Sequence, residues 1–245
     1  MLKNYKLLLA YDGSRYSGWE HQPGKETIQG KLEHVLSCLC GEIPDIIAAG
    51  RTDAGVHAKG MTANVFLDVS MEPDEIMDYM NRYLPDDIVV LDMKVASDRF
   101  HARYNAVAKT YCYTCFDGRT KPVFDRKYVW TLDRRLDVEK MRRAAGYLEG
   151  RHDYKCFCKG PQKKKSTVRT VDRITITRRK DYVTLSFHGD GFLRNMVRIL
   201  TGTLVEVGLG KMEPQQVQQI LLSGERRDAG PTAPAQGLCL MEVEY

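Results

Sequence analysis

The feature that most constrains the fold is the order of the elements, which runs strand-helix-strand-strand-helix-strand twice along the chain. Apolar alternation and helical spacing give this order within residues 4–97 and again within 105–245. It is the order of the ferredoxin-like split βαβ motif. We therefore predict an α/β (α+β) fold with two ferredoxin-like halves, residues 1–104 and 105–245, that share a joined, mainly antiparallel sheet and a central cleft.

Capping residues and turn signals predict where the elements begin and end. Thr27 and Asp137 precede amphipathic stretches and are the expected N-caps of two helices. A further helix is expected over 191–207, with Phe192 on its apolar face. Lys180-Asp181 is expected to turn a hairpin between two alternating strands.

Composition places the chain among ordinary globular proteins. Hydrophobic residues make up 43% of the 245 positions and charged residues 28%. No apolar run approaches the roughly 20 residues that a membrane span needs. The N-terminal stretch reads as a first strand rather than as a signal peptide, so we expect a cytoplasmic protein without a membrane segment.

The seven cysteines are expected to be reduced thiols in that compartment. Among them, Cys156 and Cys158 could converge with His152, which leaves open a metal-dependent nucleic-acid enzyme. Zinc prefers four ligands at a characteristic spacing, and the chain does not show that spacing. We therefore expect no metal.

Positive charge is concentrated between residues 151 and 180. This stretch contains eleven lysines and arginines but only two aspartates, whereas the whole chain carries a net charge of +5. Such a run is either a solvated face or a surface that binds phosphates. Both interpretations stay open at this point.

A short turn rich in small residues, 48–60, carries Arg51, Asp53 and His57 within seven positions. It lacks the alternating acidic ligands of a calcium loop, and no glycine-rich phosphate loop fits the chain. A lone carboxylate, ionised at neutral pH, suits nucleophilic attack or charge stabilisation at a sugar C1′. Ordinary glycoside hydrolysis needs a second carboxyl group, which is missing locally. A plain hairpin turn is the competing interpretation.

Five motifs resemble, in order and spacing, those of the tRNA pseudouridine synthase A (TruA-type) family. The resemblance covers the whole chain, and several long motifs in order are far more specific than one tripeptide. It implies the pseudouridine synthase fold. The motifs are "YDGSRYSGW" (11–19), "GRTDAGVHAKG" (50–60), "FHARYNAVAKTYCY" (100–113), "GDGFLRNMVRILTGTLVEVGLGK" (189–211) and "TAPAQGLCLMEVEY" (232–245).

The resemblance also implies a role for individual residues. Asp53 occupies the position of the catalytic aspartate, and whether it attacks C1′ or C6 or removes the 2′ proton is left open. Tyr111 matches a tyrosine that stacks on the flipped base, with neighbouring Tyr113 as a second aromatic that belongs either there or in the core. Arg198 matches an arginine that pairs with the catalytic aspartate, and Arg51 one implicated in base flipping or phosphate contact. His57 is expected to be structural.

The implied activity is the isomerisation of uridine to pseudouridine in the tRNA anticodon stem-loop, at positions 38, 39 and/or 40. Because this isomerisation involves no redox change, we expect no cofactor. The implied partners are tRNA and a second copy of the chain, in a homodimer. Three residues depart from the family's usual pattern and put the modified position in doubt: Glu20, Met61 and Tyr154. A non-catalytic RNA-binding protein on the same scaffold is the remaining alternative.

Overall fold

A computed structural model of the chain describes residues 2–160 and 166–245. It contains two compact units, Met1–Val107 together with Leu240–Tyr245, and Ala108–Cys239. The predicted basic residues Lys163, Lys164 and Lys165 lie outside the described residues. The division into ferredoxin-like halves after residue 104 stays a prediction.

The first unit follows the predicted element order. Its central strand β1 pairs with β4 on one side and with β3 on the other, and β2 also pairs with β3, all antiparallel. The order β4-β1-β3, with β2 outermost, is that of a split βαβ motif. The elements are β1 (Lys3–Tyr11), α1 (Ile28–Cys40), β2 (Ile46–Ala48), β3 (His57–Leu67), α2 (Pro73–Tyr83) and β4 (Ile88–Ala96).

Alternation along β1 builds the core of this unit. Tyr5, Leu7 and Leu9 are at most 1% exposed and are paired in register with Val65, Ala63 and Met61 of β3. The N-cap prediction for α1 is confirmed, because Thr27 Oγ1 accepts a hydrogen bond from the backbone N–H of Gly30 at 3.2 Å.

In its described residues, the second unit contains five strands and three helices. Its sheet runs β5-β9-β8-β7 with antiparallel neighbours, and the two-residue β6 lies parallel to β5. The elements are β5 (Ala108–Phe116), β6 (Trp130–Thr131), α3 (Val138–Gly146), β7 (Gly150–Asp153), β8 (Val168–Arg179), β9 (Tyr182–Gly189), α4 (Met196–Gly208) and α5 (Pro214–Ser223). The last strand, β10 (Leu238–Glu244), pairs with β3 in the first unit through its later residues.

Local signals in the second unit are largely confirmed. Asp137 caps α3 by accepting a hydrogen bond from the N–H of Lys140 at 3.0 Å. The β8–β9 hairpin turns at Lys180-Asp181, with Lys180 at a φ of 55°. The mixed α/β fold with mostly antiparallel strands therefore agrees with the sequence-based prediction.

The start of α4 is a correction. The helix expected from residue 191 begins at Met196, because Asn195 has a φ of 60° and interrupts the right-handed helix. Phe192 therefore precedes the helix instead of lying on its apolar face. Within residues 2–160 and 166–245, no helix combines the length and the apolar character needed to cross a bilayer.

Candidate functional site

Asp53 lies in the loop between β2 and β3, which spans residues 49–56. Its side chain is half-buried, whereas that of Arg51 is exposed. The N–H of Val56 donates to the carbonyl of Asp53 at 3.1 Å, and Gly55 has a φ of 78°. This left-handed conformation favours glycine. Asp53 is therefore the first residue of a four-residue β-turn, 53–56, which the sequence "DAG" favours.

The loop is attached to the segment that follows β1. Backbone N–H groups of Trp19 and Gly55 donate to the carbonyls of Thr52 and Tyr16 at 3.0 and 3.3 Å. The hydroxyls of Tyr11 and Thr52 form a buried hydrogen bond of 2.9 Å. The motifs at 11–19 and 50–60 are therefore neighbours in space, and the first holds the backbone on which Asp53 is placed.

His57 contributes to the same attachment. Its Nδ1 accepts a hydrogen bond from the N–H of Gly13 at 3.1 Å and lies 3.0 Å from Asp12 Oδ1. A Cβ atom on Gly13 would lie 2.0 Å from the carbonyl oxygen of Val56, so only glycine fits this approach. The buried imidazole thus joins the turn after β1 to the start of β3.

Arg51 contacts an acidic residue of the neighbouring segment. Its Nη2 lies 2.7 Å from Oε1 of Glu20, and the two side chains are 63% and 47% exposed. Sequence reasoning noted Glu20 as a departure from the family's usual pattern and missed this ion pair. The opposite charges of Glu20, directly after the motif at 11–19, and of Arg51, in the motif at 50–60, are a weak sequence signal for it, because the two residues are far apart along the chain.

Tyr111 and Tyr113 lie two residues apart on β5, and burial distinguishes them. Tyr111 is half-buried, and its ring meets that of Phe192 edge-on at 5.4 Å between centroids. Tyr113 is fully buried and donates its hydroxyl to the carbonyl of Pro234 at 2.8 Å. Burial raises the pKa of Tyr113 well above its usual range. Tyr113 is thus a core residue, whereas Tyr111 remains partly exposed.

Arg198 lies in the first turn of α4 and is half-buried. Its Nε–H donates to the carbonyl of Ala233 at 2.8 Å, and the N–H of Ala233 donates back to the Arg198 carbonyl at 3.1 Å. The motif at 232–245 therefore orients the guanidinium from a segment 35 residues away. Arg51 and Asp53 belong to the first unit, whereas Tyr111 and Arg198 belong to the second.

One of the cations in the basic stretch 151–180 is engaged in a structural ion pair. Arg178 forms a bidentate pair with Asp117, with Nη–Oδ distances of 2.8 and 2.7 Å, and the Asp117 side chain is fully buried. Arg178 is therefore a structural residue on β8. Among the described residues of this stretch, the exposed cations include Arg151, Lys155 and Lys159.

The cysteine and histidine cluster does not form a metal site in the part of the chain that the structure describes. Cys156 and Cys158 are buried, and His152 Nε2 lies 2.8 Å from the carbonyl oxygen of Glu149. Among the described residues, no group of three or more His, Cys, Asp or Glu side chains is arranged to hold a metal ion.

Comparison with known proteins now identifies the class. A family model described as tRNA pseudouridine synthase matches residues 8–105 and 144–245, so the chain belongs to this family of isomerases. Among similar proteins, tRNA pseudouridine synthase A of Clostridium kluyveri is 43% identical over 244 residues, and that of Bacillus sp. KSM-64 is 45% identical over 245. A protein of Bacillus cereus named tRNA pseudouridine synthase A 2 is 41% identical. Each alignment covers 100% of both chains.

Proposed function

We propose that this chain converts uridine to pseudouridine in the anticodon stem-loop of tRNA, at one or more of positions 38, 39 and 40. Full-length similarity to tRNA pseudouridine synthases A supports the reaction and the substrate. The observation that carries the choice of residue is the half-buried carboxylate of Asp53, on a turn held by the segment after β1. A catalytic group needs such a fixed backbone to keep its geometry.

The reaction fits a single carboxylate without a cofactor. The C1′–N1 bond breaks and a C1′–C5 bond forms, while C5 loses a proton and N1 gains one, so atoms balance and no electrons are exchanged. Uracil stays in the pocket, which removes the need for an acid that expels a leaving group into solvent. Attack of Asp53 at C1′ or at C6 and removal of the 2′ proton all satisfy this balance.

Three further residues are proposed to bind substrate. A uridine must leave its stack before it reaches Asp53, which costs a few kcal/mol. The half-buried ring of Tyr111 offers a stacking surface, which returns about 1–3 kcal/mol per base. The guanidinium groups of Arg51 and Arg198 supply positive charge for the phosphates or the displaced nucleotide. Homodimer formation and a cytoplasmic location stay predictions, and sedimentation at micromolar concentration tests the first.

The decisive experiment compares Asp53→Asn with the wild-type chain. We expect the variant to lose at least about 10²-fold in the rate of pseudouridine formation, because a positioned acid–base or nucleophilic group is missing. Its affinity for tRNA should remain that of the wild type. Asp98→Asn, at an exposed residue after β4, is the matched control and should retain full activity.

The outcomes separate the alternatives. An Asp53→Asn variant as active as the wild type would contradict the assignment of Asp53. A wild-type chain that binds tRNA without forming pseudouridine would favour the non-catalytic RNA-binding protein. Mapping pseudouridines in tRNA from cells with and without the chain then identifies the modified position.

A further inference from the structure

The loop between β5 and β6 presents an aromatic side chain to solvent. Phe124 is 93% exposed and its neighbour Val123 is 60% exposed. Full burial of a phenylalanine side chain contributes about 1.5–3 kcal/mol, and this loop gains almost none of it from Phe124. A single exposed apolar residue is common on protein surfaces, so further features of the loop must decide its meaning.

Hydrogen bonds fix the loop directly after Phe124. The hydroxyl of Tyr182 donates to Oδ2 of Asp125 at 2.5 Å. The side-chain amide of Gln236 donates to the carbonyls of Arg126 and Val129 at 3.2 and 3.1 Å. Phe124 is therefore exposed in a loop whose following residues, 125–129, are held by hydrogen bonds to the rest of the unit.

The surroundings of Phe124 are cationic. Residues 118–128 include four exposed basic side chains and one acid, Asp125, whose carboxylate accepts the Tyr182 hydroxyl. The guanidinium of Arg126 also donates to the carbonyl of Val123, which keeps that charge next to the exposed pair. The four cations are Arg119, Lys121, Arg126 and Lys127.

An exposed aromatic ring among cations is the combination that binds unpaired nucleotides, since bases stack on the ring while cations contact the phosphates. Positive charge disfavours a basic or purely apolar partner and favours a polyanion. We propose that the segment 118–128, which we call the aromatic-basic loop, binds single-stranded nucleotides of the RNA substrate, with a base stacked on Phe124. The inference rests on the proposed function for the identity of that RNA.

The test measures tRNA affinity for three variants by fluorescence anisotropy at fixed salt. Phe124→Ala should weaken binding about 5- to 150-fold, the range expected for one stacked base. Phe124→Trp should restore it, because the π surface is kept. The matched control is Leu222→Ala, because Leu222 is a second exposed apolar residue of the same unit, at 80% exposure. This variant should bind tRNA as tightly as the wild type.

Charge is tested separately. Replacing both Arg119 and Lys121 with Gln should reduce the slope of log K against log salt by about 1.4, or about 0.7 for each lost phosphate contact with a single strand. Sedimentation of Phe124→Ala is run in parallel. A changed oligomeric state with unchanged tRNA affinity would assign the loop to contact between copies of the chain and overturn the proposal.

Failure of the loop proposal is distinguishable from failure of the proposed function. If the wild type forms pseudouridine and Phe124→Ala binds tRNA as tightly as it does, the loop is not an RNA contact. If the wild type forms no pseudouridine while Phe124→Ala loses affinity for tRNA, the loop proposal stands and the catalytic proposal falls.

Discussion

Arg51 Nη2 lies 2.7 Å from Glu20 Oε1, so the guanidinium proposed to contact the nucleotide already holds a carboxylate of the same chain. Both side chains are substantially exposed, and exposed pairs of this kind are worth only about 0–1 kcal/mol. A phosphate can therefore displace Glu20 at small cost. In the proposed function, Glu20 would therefore compete with RNA for Arg51, and the ion pair itself adds little to stability.

Glu20→Gln should strengthen tRNA binding, because it removes a competing anion from Arg51. The expected gain is about two- to five-fold at low salt, which corresponds to an exposed pair of up to about 1 kcal/mol. The gain should shrink as salt screens the pair. Anisotropy titrations at several salt concentrations measure both effects.

The control for net charge is Glu26→Gln, at an exposed glutamate paired with Lys31 in the same unit. It also removes one negative charge but leaves Arg51 and Glu20 together. Equal gains in affinity for the two variants would show that overall charge, and not the Arg51 contact, sets the effect.

Gly13→Ala should impair catalysis without touching Asp53. The added Cβ would lie 2.0 Å from the Val56 carbonyl oxygen, so the loop that carries Asp53 must shift. We expect a fall in kcat together with about 1–3 kcal/mol of destabilisation from overpacking. Gly146→Ala, where nothing lies within 4 Å of the new Cβ, is the control and should leave kcat unchanged. A Gly13→Ala enzyme with normal kcat would contradict this coupling.

The Asp117–Arg178 pair should make stability depend on acid. Burial opposes ionisation of Asp117, but hydrogen bonds from Arg178 and from the Leu136 N–H outweigh it and hold the pKa of that carboxyl below 3.8. A carboxyl group whose pKa is lowered by folding stabilises the fold at pH values above its unfolded-state pKa. This contribution to the free energy of unfolding is lost as the pH falls through the folded-state pKa. Asp117→Asn should cost about 3 kcal/mol at pH 7.

Urea unfolding between pH 7 and pH 3 measures this difference, which should narrow below about pH 4, where Asp117 of the unfolded wild-type chain begins to protonate while the folded one is still ionised. Asp181→Asn removes a carboxylate that is 45% exposed and paired with Arg135, and it should cost at most about 1 kcal/mol. A loss for Asp117→Asn that stays constant down to pH 3 would contradict the sign of the shift.

The sequence predicts elements whose causes are local. Thr27 caps α1 and Lys180-Asp181 turns the β8–β9 hairpin because each signal acts within a few residues. The start of α4 was predicted wrongly because Asn195 adopts a left-handed conformation, which the apolar spacing around Phe192 does not reveal. Helical periodicity records only which side chains share a face. It does not detect a single residue with a left-handed backbone conformation, such as Asn195.

The candidate site shows the same limit. Motif resemblance pointed to Asp53 and Arg51, but the contact between Arg51 and Glu20 joins residues 31 positions apart and follows from the tertiary fold. Likewise, alternation alone places Tyr111 and Tyr113 on one face of β5. Only the burial of Tyr113 against Pro234 shows which of the two is part of the core.

The reciprocal hydrogen bonds between Arg198 and Ala233 have a consequence for how this chain can be altered. The N–H of Gly230 also donates a hydrogen bond to Thr203 Oγ1 at 2.9 Å. Together these bonds attach the segment 230–233 to α4. Arg226, near the end of the intervening stretch 209–229, adds to this attachment by donating hydrogen bonds to the carbonyls of Ala229 and Gly230. The entropic cost of closing a loop grows slowly with its length. We therefore expect a reporter peptide inserted near Gly224 to leave the position of the Arg198 guanidinium unchanged.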